Sequence, residues 1–415
     1  APAAGEAFFR IPAGQRKRIA QVDRAGKGLA HASTDRLVGR KMFFWGMNQG
    51  GRRWQEMLSV DGHAYIELQG GLARKQLATV PTLGGECWSW TEAYGMLSMA
   101  PGVAHGEDCE LAWRAADASL ERVLPRQHVE GLHARLESCA SAPPEEILSC
   151  GSGWGALERR RAEQVGERPR MPAELPFPDD TIGSGERMWL SLLESGALEE
   201  REPGQGPGSY MIQPEWRRIL ESSVTSSSGG DWLSCLHLGV MRMEAREYEG
   251  AREAWEQSAA HTPTGWAYRN LAVLADRQGD MDRAGAFLKR AWETGPKVRP
   301  IAQEYADFLN KTGRHTEALD FITGLPEEIR NHERITIALA QAALKTERFE
   351  HVKSIFEFEP AQIRECETSL TDLWFAYHER RISEAEGIPI DDALRERVRR
   401  ECVPPKNIDF RMSAG

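Results

Sequence analysis

No two of the seven cysteines (Cys87, Cys109, Cys139, Cys150, Cys235, Cys366, Cys402) form a C-x-x-C pair. An odd, widely spaced set supplies neither a disulfide framework nor a zinc spacing. Reduced, mostly buried thiols in a cytoplasmic setting are the expectation. No run of about 18 apolar residues occurs, so no bilayer-spanning helix and no membrane partner are expected. The basic Arg16-Lys17-Arg18 cluster is not followed by an apolar stretch, which removes a signal peptide at that place. The chain opens on Ala, and strand-like text begins at once with Phe8-Phe9-Arg10-Ile11, so a start inside a longer polypeptide is expected. Nucleophile-elbow and P-loop spacings are missing too. Gly151-Ser152-Gly153-Trp154-Gly155 reads as a tight turn into a helix near Leu157. His261-Thr262-Pro263 has no metal-ligand partner in register, and neither metal nor cofactor is expected.

What is present is a 415-residue chain of formal charge −10, long enough for two or three domains. The charge is uneven. Residues 1–55 hold eleven Lys/Arg against Glu6, Asp23 and Asp35, a net of +8, which leaves −18 for the rest. These cations are scattered through apparent strands and loops, which suits a solvated sheet face better than a nucleic-acid surface.

Four segments follow from the patterning. Residues 1–105 read as β, with aromatic and branched runs at 39–46, 64–68 and 87–94 between Gly50-Gly51, Asp61-Gly62, Gly70-Gly71 and Gly84-Gly85 turns. Residues 106–230 switch to helical spacing (Leu111, Ala115, Ala118; Leu132, Leu136, Cys139) and form a helical connector. Within it Pro143-Pro144-Glu145-Glu146 resembles a helix start, 169–185 is Pro-rich and irregular, and Ser222–Gly230 reads as a loop or boundary. Trp189, Trp216 and Trp232 look like anchors between helices. Residues 231–365 repeat, and 366–415 hold terminal helices and a tail.

The repeat is specific. Small residues recur at Gly239, Ala272, Ala306 and Ala340, and again at Ala251, Ala284, Ala318 and Val352, with spacings of 33, 34 and 34 in both series. Four positions beyond the second series stand Trp255, Leu288, Ile322 and Phe356. This resembles four tetratricopeptide-type hairpins, whose two helices cross at small residues with a period of about 34. Such hairpins stack into a solenoid with a concave groove. Arg242, Arg269, Asn270 and Asn310 are expected to face it.

On the strands, period-two geometry puts Tyr65, Glu67 and Gln69 on one face, and Trp88, Trp90, Glu92 and Tyr94 on another. Aromatic faces beside carboxylates suit sugars, and paired carboxylates suit glycosidic chemistry. The alternative is a sandwich core in which Glu92 pairs with Arg52 or Arg53.

Residues 36–97, including Gly39–Gly46, Gly51–Glu56, Tyr65–Gly71 and Trp88–Tyr94, resemble a poorly characterised family. In it an aldose-epimerase-like (galactose-mutarotase-like) β-supersandwich precedes tetratricopeptide repeats. Pro404–Arg411 is similar to that family's ending. The resemblance implies an α+β multidomain chain. A partial supersandwich over 1–105 would lead into the helical connector and the α-solenoid. It also implies a carbohydrate-directed protein, the C-terminal part of a glycoside hydrolase or epimerase-like enzyme acting at an anomeric centre, with the repeats as a brace. Glu67 would then be the base or nucleophile, with Glu92 the second carboxylate. Tyr65, Gln69, Trp88, Trp90, Tyr94 and Arg52 would bind substrate. Leu68-Gln69 departs from the proline expected after the epimerase glutamate. The other reading is a non-enzymatic scaffold that binds a peptide or protein partner in its repeat groove.

Overall fold

The computed structural model describes residues 3–60, 62–140, 142–143, 145–168, 171, 175–226, 230–360 and 367–412. Asp61, Pro144, Cys366, parts of the 169–185 and 222–230 stretches and the expected end of the repeats at 365 lie outside them. Two compact units are present. One comprises 1–143, 362–371 and 396–415, the other 144–361 and 372–395.

Among its described residues the first unit holds six strands: β1 (Gly5–Phe8), β2 (Lys17–Val22), β3 (Lys27–Ser33), β4 (Gly39–Phe44), β5 (Ile66–Gly71) and β6 (Glu92–Ser98). They form two antiparallel three-stranded sheets, ordered β1-β4-β5 and β2-β3-β6. The β2–β3 turn is set by Asp23, whose Oδ1 accepts from the amides of Ala25 and Lys27, and by Gly26 at φ 76°. Helices α1 (Gln49–Leu58), α2 (Pro101–Ala104), α3 (Cys109–Val123) and α4 (Arg126–Glu137) complete this part. Ala30, Ala32 and Leu97 pack on Ala116 and Leu120 of α3.

Several expectations fail in this unit. The basic residues are only partly solvated: Arg10, Arg24, Lys27, Arg36 and Arg52 are exposed, but Arg16, Lys17, Arg18, Arg40 and Lys41 are all buried. Arg16 pairs with Glu121 at 3.1 Å, and Arg18 pairs with Asp117, both on α3. Two of the eleven N-terminal cations thus tie β2 and its entry to α3. Helix α1 occupies a stretch read as turn, because the Asn48 side chain caps it by accepting from the Gly51 amide at 2.7 Å. Its buried face meets the C-terminal tail, where Trp54 Nε1 donates to the Phe410 carbonyl at 3.0 Å. A side chain at Gly50 would collide with the Arg411 backbone. No strand runs from Cys87 to Tyr94. Pairing with β3 begins only at Glu92, and the preceding residues bond sideways, Ser89 Oγ to Glu137 at 2.8 Å and Thr91 Oγ1 with His133 at 3.1 Å. The thiols are not mostly buried either. Cys87, Cys109, Cys139 and Cys150 are exposed, and Cys235 alone among the described cysteines is buried.

The second unit is helical. Helices α5 (Gly153–Gln164), α6 (Arg187–Ser195) and α7 (Pro214–Ser226) precede the hairpins α8 (Trp232–Glu244)/α9 (Tyr248–His261) and α10 (Gly265–Arg277)/α11 (Met281–Thr294). Then come α12 (Arg299–Lys311)/α13 (His315–Thr323), the short α14 (Glu327–Arg330), and α15 (Glu333–Lys345)/α16 (Phe349–Lys353). Helices α17 (Ser369–Glu386) and α18 (Asp392–Glu401) contribute residues to both units. No helix among the described residues is long and apolar enough to cross a membrane.

No helix forms at 145–148, where Ile147 and Leu148 are exposed and no apolar face is buried to sustain one. By contrast α7 runs through Ser226. Trp216 and Leu220 bury one face, while Thr225 and Ser226 hydroxyls donate to the carbonyls of Glu221 and Ser222 at 2.8 Å.

The repeat register holds at every crossing point: the eight small residues are all buried. Gly239 is glycine for a local reason, since a Cβ there would enter the indole of Trp255, the largest of the four bulky partners. Leu288, Ile322 and Phe356 leave room for alanine opposite. Each hairpin turn also carries one left-handed residue at the same phase: Arg246 (φ 62°), Gly279 (80°), Gly313 (76°) and Glu347 (62°).

Candidate functional site

The residues proposed for a sugar site are distributed over the first unit. Glu92 is held by three neighbours: Trp90 Nε1 donates to Oε1 at 2.9 Å, and Tyr94 OH donates to Oε2 at 2.8 Å. His31 Nε2 lies 2.9 Å from Oε2, at ion-pair distance but not aligned as a hydrogen bond. Burial alone would raise the Glu92 pKa, yet the Tyr94 and Trp90 hydrogen bonds and His31 outweigh it, so the carboxyl sits below its ordinary range. His31 is 1% exposed and stacks on Tyr94 with ring centroids 4.5 Å apart. Burial and then Arg40 hold the imidazole below its ordinary pKa. Arg40, fully buried, donates to the carbonyls of Leu37, Gly39 and Lys17, and burial lowers its pKa to about 10. The groups facing Glu92 are therefore the His31 imidazole, whose lowered pKa favours the neutral form, and the Arg40 guanidinium. Arg52 Nε instead donates to the Met47 carbonyl at 3.1 Å.

Glu67 lies elsewhere. A Cβ on Gly70 would strike His31, so the Ile66/Leu68/Gly70 side of β5 faces the other sheet. Glu67 and Gln69 are out of phase with it and point away, with Gln69 Nε2 donating to Glu67. Glu67 and Glu92 thus lie on opposite sides of the β5 sheet. Trp88 stacks under Arg36, whose guanidinium carbon is 4.0 Å from the ring centroid, and Tyr65 packs on Trp45 at 4.9 Å. The structure brings together Trp90, Glu92 and Tyr94. It adds His31 and Arg40, which the sequence reading did not single out, and leaves the other candidates apart. The alternation Ala30-His31-Ala32-Ser33 was the available signal for His31, a polar residue on the face opposite two small ones.

The second unit carries a groove of about 610 Å³, within the usual range for ligand sites. Its floor comes from the first helices of successive hairpins. Helix α8 gives Leu236, His237, Val240, Met243 and Glu244; α10 gives Trp266, Arg269, Asn270 and Val273; α12 gives Pro300, Ile301 and Glu304. These rows obey the repeat spacing: 237/270/304, 236/269 and 240/273. The period therefore specified the groove face, although only Arg269 and Asn270 of it were named in advance. Arg242 bonds the Gly250 carbonyl and faces Glu221, while Asn310 donates to the Ala338 carbonyl. A second depression of about 400 Å³ shares Val273 and Glu304 and continues past Asp276, Asp307 and Lys311.

One wall of the groove is an extended segment, Pro207–Ile212, that precedes α7. Trp189 Nε1 donates to the Ser209 carbonyl at 2.9 Å and His237 Nε2 reaches the Pro207 carbonyl at 2.8 Å, which pins it. A carbonyl only accepts, so Nε2 carries the proton and Nδ1 is an acceptor. Nδ1, like Trp266 Nε1, has no hydrogen-bond partner among the described residues. Arg269 spans α10 to α12 as a two-pronged pair with Glu304, at 2.9 and 2.6 Å. The Asn270 amide makes no side-chain hydrogen bond among the described residues, so it can both donate and accept.

A tetratricopeptide-repeat family model matches residues 277–342, from the end of α10 into α15. The match bears on the repeats and not on the strands. Among solved structures, a TPR-domain-containing protein from Parabacteroides distasonis matches the whole of this chain and 60% of its own, with a TM-score of 0.53 and 15% identity. The chain thus spans about 60% of that protein's length, and at this identity the likeness is one of fold. YrrB, described as a TPR protein with an unusual peptide-binding site, matches 40% of this chain and 82% of its own at 14% identity and TM-score 0.30. MamA matches 43% of this chain and 96% of its own at 13% identity and TM-score 0.29. None of the curated proteins compared with the chain matches it.

Proposed function

We propose that this chain is a tetratricopeptide-type scaffold that binds an extended peptide segment of a partner protein in the groove of its first three hairpins. The observation that carries this is the groove floor. The first helices of the hairpins put apolar contacts from Val240, Val273, Ile301 and Trp266 beside the unengaged amide of Asn270. Apolar surface supplies affinity, and an amide that both donates and accepts matches a peptide backbone. The test is a random peptide display library panned on the full chain, followed by fluorescence anisotropy with the enriched peptides. Trp266→Ala is expected to weaken them by about tenfold or more, as a central aromatic anchor does. If no peptide is enriched, or if the variant binds equally well, the groove is not a peptide site.

A second reading, carbohydrate recognition by the first unit, rests on the Trp90/Glu92/Tyr94 cluster and on the aldose-epimerase-like resemblance. Tyr94 is 65% exposed, so ring and carboxylate meet at the surface. Catalysis at an anomeric centre calls for two carboxylates roughly 5–10 Å apart on one sugar. With Glu67 and Glu92 on opposite sides of a sheet, this reading reduces to a sugar-binding site centred on Glu92. On a glycan array, Glu92→Gln and Trp90→Ala should both lose the signal of the parent chain. Retention in both variants would remove these residues from any sugar site.

A further inference from the structure

The charges along the groove do not balance. Glu244, Asp276, Glu304 and Asp307 line it and its continuation against Arg269 and Lys311, so four carboxylates less two cations leave a net of −2. Both cations are already engaged, Arg269 by Glu304 and Lys311 by Asp276 at 3.0 Å. Glu244 is exposed on the last turn of α8 and makes no ion pair or hydrogen bond among the described residues. The carbonyl end of a helix carries partial negative charge, which adds to that of Glu244.

Resting on the peptide reading above, we infer that the groove selects a cationic peptide with an apolar anchor, setting a Lys or Arg beside Glu244 and an aromatic or branched side chain against Trp266 and Val273. An anionic peptide would meet the Glu244 carboxylate. To gain a cation it would have to displace Glu304 from Arg269 or Asp276 from Lys311. A neutral apolar peptide would leave the Glu244 charge uncompensated. A cationic one releases no existing pair, and the chain's overall charge of −10 favours its approach.

The experiment pans a random peptide display library on the full chain at low and at physiological ionic strength. Enriched peptides are then titrated against the parent, Glu244→Gln and Glu244→Lys. The expected result is enrichment of peptides with net positive charge and at least one aromatic or branched residue, with affinity falling as salt rises. Glu244→Gln should lower it about fivefold, and Glu244→Lys should lower it further. Enriched peptides that are acidic or neutral, or whose affinity ignores both Glu244 changes, overturn the charge preference and leave the peptide reading standing. A library with no enriched peptide on the parent chain overturns both.

Discussion

Replacing Trp189 by alanine is expected to destabilise the helical unit by roughly 3–5 kcal/mol, the usual range for removing a fully buried large aromatic side chain. Trp189 is 0% exposed within an apolar cluster that joins α6 and α7 to the first two hairpins. Its ring meets Trp216 edge-on at 6.3 Å and His237 at 5.2 Å. Part of the loss is the cavity, since the ring's neighbours come from different helices that cannot all collapse into it. The rest is the Ser209 carbonyl, which loses its indole donor. Trp189→Phe separates the two contributions: it keeps much of the ring contact but not the donor, so about 1–3 kcal/mol is expected from it. Urea unfolding followed by far-ultraviolet circular dichroism measures both. A loss below about 1 kcal/mol for the alanine variant would mean that this cluster does not hold the unit together.

The connector tryptophans and the repeat register were legible in the sequence for one reason. Both are statements about large and small side chains at fixed spacing, and close packing makes such statements nearly independent of context. The four left-handed hairpin positions were only half legible. Gly279 and Gly313 announce a positive φ, whereas Arg246 and Glu347 adopt it because the stacked helices on either side impose the turn. Glycine elsewhere misled for a related reason. Gly50 and Gly51 punctuate the sequence like a turn, yet Gly50 sits inside α1 because the Arg411 backbone passes too close for a side chain.

The sugar-site pattern shows a different limit. Alternation sorts residues onto faces only where a strand exists. It served Glu67 and Gln69 within β5 but not Trp88 and Trp90, which precede β6. It also says nothing about which sheet face meets which, so the opposite placement of Glu67 and Glu92 depends on His31 filling the space above Gly70. The burial of Arg16, Arg18 and Arg40 had no signal in composition. Arg16 and Arg18 find their partners on α3, and Arg40 bonds the distant Lys17 carbonyl as well as those of its neighbours Leu37 and Gly39.

Acidification supplies the second large effect, and it runs through the groove wall. His237 is 2% exposed, and burial lowers its pKa from 6.5 to about 4, with Arg201 acting in the same direction and the Pro207 carbonyl and Asp231 opposing. Because the folded value is depressed, the unfolded chain takes up the proton first as pH falls. The stabilisation is complete above about pH 6.5 and is lost progressively down to about pH 4, below which both states are protonated. A displacement of this size corresponds to roughly 3 kcal/mol across that window. Protonation would leave Nε2 bound to Pro207 but bury a charge beside Trp189, with no acceptor for Nδ1 among the described residues. His31 is shifted in the same direction, so the slope of the whole chain is not that of one group. His237→Gln isolates it, since the glutamine amide can donate to the Pro207 carbonyl without titrating. Urea midpoints taken stepwise between neutral and acid pH should fall markedly for the parent and less steeply for the variant. Parallel curves would show that the imidazole is not kept neutral in the fold. The same loss should appear in the peptide titrations, because His237 and the segment it bonds, with Tyr210 and Ile212, line the groove and are lost together when the unit unfolds.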